Sequence, residues 1–325
     1  MAPFLRPWLI VAVLSAGASG CAALGGARGG ELVTLTYAWP EPATMQVEHT
    51  VDVRTDWSDR TTAERRFTMT LGPVDEEGQR RLSFHDVEIL EARVPIFVEP
   101  LATGIIDAQG DFQGIDPLED NPALAFLDAM PLSPRKRAQM AKGLAVGLER
   151  AIRDTWNQWV GSWHGSRYKP GKQEVLPATM QVGTGRKERK EVPSEERQRL
   201  DVGVPCSAAE PEPRCARLRA VREPVGQSDK TPGTYARVEL ELVMDPTTLL
   251  PYSSRVIRMD RVDWNGQGGE PDFHESVHVE QYTFVHGPAP TAGPMARALP
   301  RQPMPTSLKE SRNVQGASVR VPGAP

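Results

Sequence analysis

An α+β fold is what this sequence predicts: a long, curved antiparallel β-sheet with a helical hairpin packed on one face. Three observations carry that expectation. Apolar and polar residues alternate with period two from about residue 31 to Ile115, and the alternation returns between Ala236 and His286. Between the two regions, one stretch repeats its apolar residues at spacings of three and four. The order of strands, then helices, then strands is that of a sheet covered on one side.

In the first region Met45, Val47, Val51 and Val53 point one way, while Gln46, Glu48, Thr50, Asp52 and Arg54 point the other. Phe67, Met69 and Leu71 alternate against Arg66, Thr68 and Thr70 in the same manner. Gly72-Pro73 and Glu77-Gly78 punctuate a return into Arg81–Leu90. Gly104–Ile115 predicts a hairpin whose turn is Asp107-Ala108-Gln109-Gly110, with Gly110 supplying the positive φ.

The pattern changes at Pro117. Ser133 followed by Pro134 marks a helix start, a capping hydroxyl before a proline at the first helical position. Met140, Leu144, Leu148, Ile152, Trp156, Trp159 and Trp163 then form one apolar stripe on a helix of roughly thirty residues, which Gly165 and Pro170 end. A shorter helix over about 118–130 would complete the hairpin. The stretch 183–200 mixes Arg186, Lys187, Arg189 and Lys190 with Glu188, Glu191, Glu195 and Glu196 and shows no apolar period, so it reads as a charged surface loop or hairpin tip. Ala236, Val238, Leu240, Leu242 and Met244 give the clearest strand, Asp245-Pro246-Thr247-Thr248 turns it back, and Ser254–Trp264 and Glu275–His286 supply two more. Whether the two β regions share one sheet is left open at this level.

The chain has 325 residues and a formal net charge of −4. Its charge is asymmetric: beyond Gly287, Arg297, Arg301, Lys309, Arg312 and Arg320 face Glu310 alone. That tail has eight prolines and no aromatic residue and is read as disordered. An acidic body with a basic tail is not the composition of a nucleic-acid binder.

Residues 1–20 carry one early charge, Arg6, an apolar run from Trp8 to Ala18, and Ala18-Ser19-Gly20 directly before Cys21. The order is that of a secretory signal peptide, and the run is too short to span a membrane. With Cys21 it resembles the lipobox of bacterial lipoproteins, although Ala18 stands where leucine is commonest. The resemblance implies cleavage after Gly20 and acylation of Cys21, each buried methylene adding about 0.8 kcal/mol of membrane affinity. Ala22 after the cysteine implies an outer-membrane address facing the periplasm. Residues 21–30 would then be the lipidated cysteine and a flexible tether, and 31–286 a single domain with its helical insertion at about 117–165.

Cys206 and Cys215 remain. In an oxidising compartment they are expected to pair, closing a loop of ten residues worth about 2.5–3 kcal/mol on the chain-entropy model.

Two features invite chemistry. His274-Glu275-Ser276-Val277-His278 resembles the H-E-x-x-H signature of the zincins, in which two histidines hold zinc and the glutamate activates water. That chemistry requires a helix, whereas Val277, Val279, Tyr282, Phe284 and Val285 favour a strand, in which the two histidines stand roughly 13 Å apart. Ser133-Pro134-Arg135-Lys136 fits S-x-x-K, without the S-D-N or K-T-G partners that would make it catalytic. No nucleotide or dinucleotide motif is present and no cofactor is expected.

The element order resembles the half-barrel of periplasmic lipoprotein carriers, a likeness of architecture that transfers no residue's role. The expectation is a non-enzymatic, lipid-anchored envelope protein that binds a lipid, another apolar ligand or an envelope partner between the sheet and Leu148, Ile152, Trp156, Trp159 and Trp163. The same five residues would serve equally as core. The alternatives are a zinc hydrolase, with His274 and His278 as ligands and Glu275 as base, and an assembly protein without a pocket.

Overall fold

A computed structural model describes residues 31–287, except 93–101, 119–123, 125–126, 129, 184–188, 209, 228–232, 265–269 and 271. Cys21, the tether and the basic tail lie outside the described residues.

The N-terminal strands are β1 (Val33–Thr34), β2 (Ala43–Thr55), β3 (Thr61–Leu71), β4 (Gln79–Ala92), β5 (Gly104–Asp107) and β6 (Phe112–Ile115). Helix α1 (Pro134–Trp156) follows and continues as a π-helical turn, Asn157–Gly161. The C-terminal strands are β7 (Arg167–Tyr168), β8 (Gln173–Gly183), β9 (Arg189–Val204), β10 (Cys215–Pro224), β11 (Tyr235–Met244), β12 (Pro251–Asp263) and β13 (Phe273–His286).

Among the described residues, eleven strands make one antiparallel sheet in the order β6-β5-β4-β3-β2-β13-β12-β11-β10-β9-β8, and β1 pairs with β7. The chain winds from the middle of the sheet out to the β6 edge. Helix α1 lies in the crossing from that edge to the β8 edge, after which the chain meanders back to the middle. The two β regions are thus joined by one ladder, β2 against β13, from Met45 opposite His286 to Thr55 opposite Ser276.

Alternation sorts the side chains as the sequence predicts. One face gives Met45, Val47, Phe67, Met69, Leu71, Leu218, Leu242 and Phe284 to the core, where Leu148, Ile152, Trp156, Trp159 and Val160 pack. The opposite face is paved with cross-strand ion pairs such as Arg66–Glu48 at 3.1 Å, Arg219–Glu241 at 2.9 Å and Arg237–Glu223 at 2.7 Å. At the β8 end the sheet curls back on itself. A Cβ on Gly183 would stand 2.7 Å from Val262 Cγ2, and Met180 and Val182 of β8 pack with Ala236 of β11.

Helix α1 starts where the sequence places it: the Ser133 hydroxyl accepts from the Lys136 N–H at 3.4 Å, and Pro134 sits at the first position. The capping role accounts for the S-x-x-K match. Trp156 donates its indole N–H to the Gly110 carbonyl at 2.8 Å, tying the helix to the β5–β6 turn. Gly110 has φ +91°, and a Cβ there would stand 2.6 Å from Tyr37 Cγ. Of the shorter helix expected over 118–130, Leu124, Leu127 and Asp128 are helical, and much of the rest lies outside the described residues, so a helical hairpin is not described.

One expectation is corrected outright. The charged stretch 183–200 is not a loop beyond residue 188: Arg189–Val204 is β9, paired on both sides. Its buried positions include Ser194, Glu196, Gln198 and Leu200. Three of these four are polar, so alternation is present in burial but hidden in hydropathy. Arg222 Nε donates to Glu196 at 2.7 Å, and the Tyr168 hydroxyl donates to Gln198 at 2.8 Å, which makes those burials tolerable. Strands β8 and β10 are further additions. Cys206 and Cys215 form the expected disulfide across the β9–β10 connection, with Cα atoms 5.1 Å apart.

One buried cation organises the other end of the core. Arg80 is 2% exposed, and its guanidinium donates to the carbonyls of Gly72 (2.7 Å), Pro40 (2.6 Å), Trp39 (3.3 Å) and Leu71 (3.4 Å) and to the Tyr37 hydroxyl (3.1 Å). Five acceptors replace its hydration shell.

Candidate functional site

A cavity of about 150 Å³ lies between α1, its π-helical turn and strands β3, β4 and β13. Phe67, Phe84, Ile152 and Trp159 give it apolar walls, Ala151 and Thr155 complete the helical side, and Arg65, Glu280 and Tyr282 line the rest.

The polar side is built by strand register. Arg65 of β3 is opposite His49 of β2, which is opposite Tyr282 of β13, which is opposite Ser254 of β12. All four belong to the core-facing phase of their strands, because Phe67, Val47 and Phe284 lie two residues along. Gln158 on the π-helical turn donates to Ser254 at 2.7 Å and holds that turn over the row.

Arg65 Nε donates to His49 Nδ1 at 2.7 Å. An arginine can only donate, so the imidazole proton sits on Nε2, which reaches Glu280 Oε1 at 3.1 Å. The Tyr282 hydroxyl donates to the same oxygen at 2.7 Å. His49 and Tyr282 stack face to face, with centroids 4.0 Å apart and planes 4° apart.

Burial lowers the His49 pKa, and the Arg65 charge adds to the effect, so His49 is neutral. Burial raises Tyr282 well above the ordinary phenol value, and the Glu280 charge adds to that. Burial alone would raise Glu280. It is outweighed by the hydrogen bonds from His49 and Tyr282 and by the charge of Arg258, which hold the carboxyl at about 2. The polar side of the cavity therefore carries one cation, Arg65, and one anion, Glu280, that compensate each other. Both His49 nitrogens are engaged, so neither is offered to an occupant as a base.

The five stripe residues separate under this geometry. Ile152 and Trp159 face the cavity, whereas Leu148, Trp156 and Trp163 are buried in the core without lining it. Sequence reasoning missed His49, Arg65, Glu280 and Tyr282. The available signal was a polar side chain in the apolar phase of a strand, as with His49 between Val47 and Val51.

The H-E-x-x-H reading is corrected by geometry. Residues 273–286 are β13, so His274 and His278 stand roughly 13 Å apart along it, and Glu275 points to the opposite face. His274 lies between Asp56 (Nδ1, 3.3 Å) and Asp272 (Nε2, 3.2 Å) and packs on Trp264 and Trp57, with centroids 3.9 and 5.4 Å away. His278 is opposite Arg258 and Val53, and burial lowers its pKa. The two histidines share no site, and among the described residues no group of three or more metal-ligating side chains gathers.

No family model matches the sequence, and no curated protein matches it. Among solved structures, a chain of lipovitellin, from a structure concerned with lipid–protein interactions in lipovitellin, aligns with 80% of this chain at 7% identity and a TM-score of 0.43. The alignment spans 27% of the lipovitellin chain.

Proposed function

We propose that this chain is a non-enzymatic, lipid-anchored envelope protein that holds a small, largely apolar ligand between its sheet and helix α1. The cavity is the observation that carries the reading. A dry 150 Å³ cavity in another protein accommodates benzene, which sets the size of molecule that fits here. A membrane lipid would enter only with part of one chain. The cavity also favours a ligand holder over an assembly protein with a filled interior.

Export rests on the signal peptide and Cys21, and it is supported by the Cys206–Cys215 disulfide, a bond characteristic of oxidising compartments. On this reading the protein faces the periplasm from the outer membrane, held there by Cys21. Neutral His49, engaged at both nitrogens, supports holding over turnover.

The test is native mass spectrometry of the full chain released from envelopes in mild detergent, with element analysis of the same sample. The expected result is an acylated N-terminal Cys21 and a stoichiometric small organic adduct, the latter lost when Ile152→Trp fills the cavity. Stoichiometric zinc that disappears in His274→Ala would refute the proposal and restore the hydrolase.

A further inference from the structure

Three tryptophans of the helical stripe are buried, and they differ in how their indole N–H groups are satisfied. Trp156 donates to the Gly110 carbonyl at 2.8 Å and Trp163 to the Gln158 carbonyl at 2.9 Å. Trp159 is 0% exposed, and its Nε1–H has no acceptor among the described residues. Trp39 shares that property but does not line the cavity, whereas Trp159 does.

A buried N–H without a partner costs about 1–3 kcal/mol, so natural cores rarely leave one in place. Nor is the ring free to turn and find a partner. Tyr282 and Phe284 pack edge-on against it, with centroids 5.0 and 4.9 Å away and interplanar angles of 79° and 87°. A fixed donor beside a half-open space that its own ring lines calls for an acceptor in that space.

The neighbouring charges narrow the acceptor's class. Glu280 lines the same cavity and is held ionised, so an anionic occupant would meet a carboxylate there. Arg65 does not offset this as a spare cation, because it is engaged by His49 and Tyr282. The walls are otherwise aromatic or aliphatic, as at Phe67, Phe84 and Ile152, apart from Thr155, whose hydroxyl is engaged by Tyr282.

We infer that the occupant is an uncharged, ring-sized molecule bearing one acceptor oxygen, a cyclic ketone, lactone or ether, whose oxygen accepts a hydrogen bond from the Trp159 indole N–H. This rests on the proposed ligand-holding role and specifies its chemistry.

The experiment uses the full chain labelled with ¹⁵N at its tryptophan indoles and two probes of one shape, cyclohexanone and methylcyclohexane. The Trp159 resonance is assigned by its disappearance in Trp159→Phe. The expected result is that cyclohexanone shifts the Trp159 indole proton downfield and methylcyclohexane does not. Trp159→Phe should weaken cyclohexanone about five- to tenfold, the worth of one hydrogen bond, and leave methylcyclohexane unchanged. If that variant fails to fold, the Trp159 indole is assigned instead by its through-space contacts with the Tyr282 and Phe284 rings, and its shift in the unsubstituted chain decides alone. Binding of both probes with the Trp159 proton unmoved and with cyclohexanone undiminished in Trp159→Phe would overturn the inference and leave the cavity reading standing. Binding of neither probe would overturn both, as would cyclohexanone binding that shifts other indoles and leaves Trp159 alone. Preferential binding of cyclohexanecarboxylate over cyclohexanone would overturn the neutral-ligand claim.

Discussion

Replacing Glu280 by Gln removes a charge while keeping an acceptor oxygen for His49 and Tyr282, so it isolates what ionisation contributes. The carboxyl titrates at about 2 in the fold against an ordinary value of 4.5. Each pKa unit corresponds to about 1.4 kcal/mol, so the ionised form stabilises the native state by about 3 kcal/mol. The folded pKa is depressed, and the sign follows: this stability is fully present above pH 4.5 and is lost as the pH falls toward 2. Below that point Glu280 is protonated and resembles the glutamine. Urea unfolding of both proteins at about pH 7, 4.5, 3 and 2 should therefore give a stability gap of about 3 kcal/mol at neutral pH that closes toward zero at the acid end. A gap that stays constant across the range would refute the reasoning, because Glu280 would then be a packing group whose charge is irrelevant.

Arg80→Met keeps most of the side-chain volume but removes the donors to the Gly72, Leu71, Trp39 and Pro40 carbonyls, and should lower unfolding free energy by about 3 kcal/mol or more in urea titrations. Gly110→Ala should cost about 2–4 kcal/mol, combining a disfavoured φ with a clash on Tyr37, and should alter near-ultraviolet circular dichroism because Trp156 is anchored on the Gly110 carbonyl. Cys206→Ser opens a ten-residue loop and should lower stability by about 2.5–3 kcal/mol in the absence of reductant, with no difference from the unsubstituted chain once the latter is fully reduced.

How far the fold could be read beforehand depended on which side chains face the core. Strands β2, β3 and β11 were legible because their inward phase is mostly Met, Val, Phe and Leu. Strand β9 was not, because its inward phase runs Ser194, Glu196, Gln198, and the partners that make the last two burials tolerable, Arg222 and Tyr168, lie in other elements. The candidate site divides the same way. Its apolar wall was visible as the helical stripe at Ile152 and Trp159, since helical spacing is a local property. Its polar row was not, because Arg65, His49 and Tyr282 become neighbours only through pairing between β3, β2 and β13. The H-E-x-x-H match failed for the converse reason. Its residues are adjacent in sequence, and an extended backbone separates them.

The ladder between β2 and β13 has a consequence for biogenesis. Strands β2 to β6 can zip together as soon as they leave the ribosome, because each pairs with its sequence neighbour. The other flank of β2, from Met45 to Thr55, must wait for a partner that follows about 220 residues later. At roughly 5–20 residues per second, that is on the order of 10–40 s of synthesis with an open strand edge rich in valine. An edge of that kind recruits other chains. Passage to the far side of the membrane before folding begins would remove the delay altogether, since both flanks would then reach the same compartment unfolded and could close together.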